Sequence, residues 1–247
     1  MKNIYLFLIF MFGSFALSSQ VVFEEDFESG ALPDMWTMES FATDGGWKVG
    51  TAATLSSEFF PIPANGSTYI IGTNDDECNC NKRNEMLITP IFSLADVSTA
   101  VVSFQLHFTA GSDQQGRTES GEALVSTDEG QTWELLGYLH GHGGWDLHIL
   151  DLVNYVGKEK VQIAFRYDDQ GGGLYGLMLD DLSVYVPPVN DAAEVELKMA
   201  DFGTTTTEFE ISTAILNYGS APITSLVLEY DVDGADNQPA TFDNILI

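Results

Sequence analysis

Apolar residues in this chain recur at every second position over short runs, and never at helical spacing over any length. In residues 100–108, Val102, Phe104, Leu106 and Phe108 alternate with Ser103, Gln105 and His107. In residues 160–167, Val161, Ile163, Phe165 and Tyr167 share one parity. A period of two places each set on one face of a β-strand, and that face needs a second sheet to cover it. Runs at 67–72, 86–91, 122–127 and 132–136 extend the pattern, with turns such as Asp128-Glu129-Gly130 between them, while 145–152 is less regular. Many short strands separated by turn signals predict an all-β fold built as a β-sandwich. The 23 glycines and 12% aromatic residues agree with it. Trp36 and Trp47 are expected in the core.

The first and last strands of the main unit carry the acidic residues of interest. In residues 21–30, Phe23, Glu25 and Phe27 share one face, and Glu24, Asp26 and Glu28 the other. Near residue 180 the alternation breaks. Leu177 and Leu179 have one parity, whereas Leu182, Val184 and Val186 have the other. The slip falls on Asp180-Asp181 and predicts a β-bulge there. The two strands are expected to pair and bring their carboxylates to one site.

Residues 1–20 have the pattern of a secretory signal peptide: Lys2, an apolar run at 4–12, then Ala16-Leu17-Ser18. That run is too short to span a bilayer, and no cysteine stands at the cleavage site to carry a lipid. The formal net charge is −28, from 9 basic and 37 acidic residues. Such a surface argues against nucleic acid and against anionic membranes. Cys78 and Cys80 are the only cysteines, and a local disulfide and two thiols both remain open. Pro187-Pro188 marks a boundary. Residues 190–247 carry further strand patterns at 192–197, 208–216 and 223–232, too few for a complete immunoglobulin-type sandwich, so the natural protein is expected to continue.

Several motifs recur in order across residues 21–186. They are Glu25-Asp26-Phe27-Glu28 with Leu32-Pro33 and Trp36; Leu87-Ile88-Thr89-Pro90; Val125-Ser126-Thr127-Asp128 with Gly130 and Thr132-Trp133; Asp151-Leu152 with Tyr155-Val156-Gly157-Lys158; residues 161–166; and Leu179-Asp180-Asp181-Leu182. Together they resemble the MAM-like, cleaved-adhesin or "choice-of-anchor J" jelly-roll modules of secreted Bacteroidota proteins. The 190–247 segment resembles the start of an Ig-like repeat. The resemblance implies a jelly-roll β-sandwich at 21–187 followed by a partial Ig-like β-sandwich. It also implies a secreted or cell-surface, non-catalytic adhesion or carbohydrate- or protein-binding module stabilised by calcium. The family often carries a C-terminal domain for type IX secretion, and its modules often accompany peptidases or glycan-degrading enzymes. An accessory region of such an enzyme and a structural spacer are the alternatives.

Calcium takes six to eight oxygen ligands, largely from carboxylates and carbonyls. The expected donors are Glu25 and Glu28 with Asp75 or Asp76 and one of Asp180 and Asp181, with Asp26, Asn74 and Glu85 nearby in the sequence. Residues 74–85 match the length of an EF-hand loop but place Cys78 at a ligand position and Asn79 where glycine belongs. Residues 231–236 are expected to form a hairpin turn, and His140 and His142 to be exposed loop residues. No nucleophile elbow surrounds Ser126 and no His-Glu-x-x-His occurs. The partner expected is an extracellular glycan or protein of undetermined identity.

Overall fold

The computed structural model describes residues 20–189, 192–198, 212–228 and 240–247. The expected leader, apart from Gln20, and the 231–236 turn lie outside them. The chain divides into a unit of Gln20–Pro187 and another that contains Pro188–Ile247.

In the first unit, one sheet has the order β3 (Lys48–Gly50), β4 (Ile70–Asn74), β11 (Gly176–Val186), β6 (Val101–Phe108), β9 (Trp145–Asp151), and β1 (Gln20–Glu25) also pairs with β11. The other sheet runs β2 (Thr37–Glu39), β5 (Glu85–Ile88), β10 (Gln162–Asp168), β7 (Ser120–Ser126), β8 (Glu134–Leu139). All these pairings are antiparallel. The chain crosses repeatedly between the sheets, which makes the unit a jelly-roll sandwich.

The alternating side chains meet between the layers. Phe104, Leu106, Leu177, Leu179 and Val184 come from one sheet, and Leu87, Val125, Ile163 and Phe165 from the other, all within one core cluster. Phe104 and Phe165 meet edge to face with ring centroids 4.9 Å apart. Trp36 and Trp47 are buried in the same core. The outer face of the first sheet is also covered. Phe60, Ile62, Ile70 and Met178 form a second cluster, and His107, on the outward parity, stacks on Phe60 at 5.1 Å.

Pro90 lies just past β5, an inner strand, so it ends a strand and does not mark an edge. The run at 145–152, irregular in sequence, forms the full edge strand β9. In the second unit, β12 (Ala192–Lys198) pairs with β13 (Ser212–Asn217), and β14 (Ser225–Leu228) pairs with β15 (Ala240–Asp243).

Phe104 is fully buried whereas Phe41 is 90% exposed. Phe104→Ala should cost about 3–5 kcal/mol in a urea unfolding titration, and Phe41→Ala should stay within about 0.5 kcal/mol.

Candidate functional site

The strand β11 is flanked on one edge by two strands set end to end. Residues Gly176–Leu179 pair with β4, and Leu182–Val186 pair with β1. Between them the register against β6 shifts from Asp180↔Gln105 to Ser183↔Ser103, which is the bulge read from the parity slip. Asp181 takes a left-handed backbone with φ 49°, a conformation that short polar residues tolerate better than bulky ones.

The first strand stops sooner than the sequence implies. Phe27 has φ 55°, its N–H donates to Glu25 Oε1 at 2.9 Å, and Gly30 N–H donates back to Phe27 O at 3.0 Å. This turn ends β1 at Glu25 and sets Asp26 and Glu28 beside the bulge. An open groove of about 450 Å³ is lined here by Glu24, Glu25, Asp26, Asp181, Leu182 and Ser183.

The two aspartates of the bulge have different tasks. Asp180 is fully buried. It accepts from Asn65 Nδ2 at 2.5 Å and from the Asp181 N–H at 2.9 Å. Asp181 is exposed. Glu28 Oε1 accepts the N–H groups of Thr68 and Tyr69 at 2.6 and 3.2 Å. These bonds leave Asp26 Oδ2, Glu28 Oε2 and both Asp181 oxygens without a donor among the described residues.

None of these acids pairs with a lysine or arginine among the described residues. Partial desolvation, then the charges of Asp26 and Glu28, raise the Asp181 pKa. Desolvation raises Glu25 against the bond from Phe27, and Asp26 adds to the rise. An all-oxygen, uncompensated donor set suits a hard divalent cation. As placed, no three of these side chains bring oxygens within 4.8 Å of one another; among the described residues Asp44, Cys78 and Cys80 alone meet that criterion. Cys78 and Cys80 form a disulfide, which removes that trio as a thiolate site. Gathering an ion at the bulge therefore asks the exposed Asp26, Glu28 and Asp181 side chains to rotate.

The six expected donors fall into separate places. Glu25, Glu28 and Asp181 lie around the bulge, whereas Asp180 is buried and bonded to Asn65. Asp75 and Asp76 do not join them: their N–H groups bond to Tyr175 O, whereas Glu25 pairs with Leu182. Seven residues of strand separate those positions, roughly 20 Å. Asp76 Oδ2 instead accepts the Phe59 N–H at 3.1 Å.

Asp75 belongs to a buried polar network, in a segment whose polarity suggests a solvated loop. Asn74 caps a helical turn, Asp75–Cys78. Lys82, fully buried, donates to both Asp44 oxygens at 3.0 Å and lies 3.7 Å from Glu85. Glu85 accepts from Ser40 and Thr73 at 2.5 and 2.6 Å. Asp75 Oδ2 accepts the Leu174 N–H at 2.6 Å, while its Oδ1 is buried without a partner. Burial, then Asp169 and Glu85, push the Asp75 pKa up to about 6 against the Leu174 bond and Lys82. A lysine is buried only when paired, and the partners of Lys82 here are Asp44 and Glu85.

No protein-family model and no curated protein sequence matches the chain. Several solved structures are similar to it. A cleaved adhesin domain of Lys-gingipain from Porphyromonas gingivalis is 19% identical with TM-score 0.48, over 68% of this chain and 99% of that one. A second domain of the same protein is 19% identical with TM-score 0.46, over 66% and 96%. A xylan-binding domain from Paenibacillus barcinonensis is 15% identical with TM-score 0.42, over 68% and 95%.

Glu119 adds a second raised carboxyl to the buried network. Its Oε2 accepts from Tyr167 OH at 2.6 Å and Tyr175 N–H at 3.0 Å. Burial raises its pKa from 4.5 to about 7 in spite of these bonds. Between those values the folded state holds a proton that the unfolded chain has released. The contribution to stability is full below about pH 4.5 and is lost as pH rises through about 7, on the order of 3 kcal/mol. Glu119→Gln should flatten that decline when melting is followed from pH 4 to 8.

Proposed function

We propose that the Gln20–Pro187 sandwich is a secreted or cell-surface, non-catalytic binding module of a larger extracellular protein. A structural calcium ion at the β11 bulge stabilises it, and its partner is an extracellular glycan or protein. The second unit belongs to an Ig-like repeat.

The observation that carries the reading is the gathering of Glu25, Asp26, Glu28 and Asp181 around one strand break with no basic side chain among the described residues to offset them. Like charges drawn together on a folded surface oppose folding, and a bound divalent cation reverses the sign of that contribution. Calcium here joins the first strand to the last. The leader-like segment supports export. Ser126 and His107 are engaged in the packing of the fold. Ser126 Oγ donates to Asp128 at 2.8 Å and accepts from Gly130 N–H at 2.9 Å, and His107 is buried between Phe60 and Trp145.

The test is thermal melting in chelator and in calcium. At a calcium concentration 100-fold above Kd, linkage adds about 2.7 kcal/mol, or about 5–10 °C for a unit of this size. The Glu28→Gln, Asp181→Asn double variant should lose the shift and melt higher than the wild type in chelator. Identical wild-type melting in chelator and calcium would overturn the metal assignment.

A further inference from the structure

The loops beyond the start of β11 form a second open concavity, of about 430 Å³, lined by Asn79, Cys80, Asn81, Arg83, Arg117 and Gly171, Gly172 and Gly173. Two guanidiniums share this one wall in a chain with nine basic residues and a net charge of −28. Most described basic side chains are neutralised. Lys48 and Lys82 pair with Asp44, Arg117 with Asp113, Lys160 with Glu129, and Arg166 with Glu122. Arg83 has no carboxylate partner among the described residues and is exposed at the pocket. One of its terminal nitrogens donates to Gln170 O at 2.5 Å, which orients the fork and leaves other N–H groups free.

The wall is fitted to these side chains. A Cβ on Gly171 would lie 3.2 Å from Arg83 Nε, one on Gly172 would lie 3.3 Å from Arg117 Nε, and one on Gly173 would lie 3.0 Å from Asn79 Oδ1. Three consecutive glycines thus let backbone lie directly against the polar lining. Arg117 is pinned by Asp113 at 2.5 Å and by Gly171 O at 2.6 Å. Asn79, at φ 46°, is held between the disulfide-bonded Cys78 and Cys80.

The volume falls in the range of small-ligand sites. The lining offers guanidinium and amide groups, and none of its residues is aromatic. A neutral sugar recognised by ring stacking finds no platform there. A ligand with a carboxylate and neighbouring hydroxyls finds a planar fork for the first and amides for the second. We propose that this pocket binds a uronate-bearing oligosaccharide, with its carboxylate on Arg83 and its hydroxyls on Asn79 and Asn81. This assignment rests on the binding-module reading above and names the ligand class for it.

Calorimetric titration of the whole chain in calcium tests this. The probes are oligogalacturonate, neutral oligogalactose of equal length, a sulfated oligogalactose and a glutamate-rich peptide, in about 0.15 M salt, where charges beyond about 8 Å are screened. The uronate should bind and the other three should bind at least about tenfold more weakly. Arg83→Gln, at an exposed and unpaired position, should melt as the wild type does and weaken uronate binding about 10- to 100-fold. Gly173→Leu should block the pocket to a similar degree. Equal binding of neutral and acidic sugars, or uronate binding unchanged in Arg83→Gln, would overturn the pocket while leaving glycan binding in place. Preference for the sulfated sugar or the peptide would overturn the uronate assignment. Failure of every saccharide to bind, with calcium still raising the melting temperature, would overturn the pocket and the glycan partner together but not the metal.

Discussion

An eleven-residue strand, β11, has to serve two neighbours on one edge and a third along the other. The third, β6, runs beside it across the break. A regular strand would put Asp181 on the parity of Leu177 and Leu179, inside the sandwich. A carboxylate there would be left without water or a partner, at a cost of several kcal/mol. The bulge takes up one residue, so that Leu182 and Val184 resume the inward positions and are buried there. Asp180 is then held by Asn65, and Asp181 is turned out beside Asp26 and Glu28. The candidate metal site is therefore a consequence of keeping the core dry while β1 and β4 share one edge.

The buried charges at the other end of the strand act on different segments. Asp169 accepts Lys82 N–H at 2.9 Å and Gly171 N–H at 2.7 Å. Asp75 holds Leu174, and Glu119 holds Gly111 and Tyr175. Three carboxylates thus fix backbone from three loops that neither sheet pairs. Hydrogen bonds from N–H to buried carboxylates are stronger than neutral ones, but they confine negative charge with only Lys82 to offset it. Burial, and after it the charge of neighbouring carboxylates, shifts Asp75 and Glu119 upward. Rigidity in the loops around Arg83 and Arg117 comes with a stability that declines toward neutral pH.

Periodicity made the sandwich legible because its strands alternate wherever one face meets the core. The bulge was legible for the same reason, since an extra residue changes the parity of everything after it. The network around Lys82 was not. Its partners run from Asp44 through Asp75 and Glu85 to Asp169, and no period relates them. Polarity made the 74–85 segment look solvated, although Asp75, Lys82 and Glu85 are fully buried. The mistaken grouping of Asp75 and Asp76 with Glu25 has the same origin: composition identifies oxygen donors, but only register says which end of β11 they reach. Arg83 and Arg117 were missed because two isolated arginines form no motif. The glycine triplet at 171–173 was visible, but its fit against their side chains depends on tertiary contact.

The placement of the arginines bears on how an acidic protein can select an acidic ligand. With a net charge of −28, the long-range field repels any anion, so steering cannot supply the encounter rate that basic surfaces enjoy. Recognition has to come at contact distance. Arg117 contributes little net charge there, because Asp113 neutralises it, and its work is to fix the wall. Arg83 is left as a single oriented fork in a pocket whose depth is set by glycines. Such a site discriminates through geometry, since an anion that misses the fork meets the repulsion of the surrounding surface with nothing to offset it. The acidic surface that weakens association then also sharpens the choice among anions.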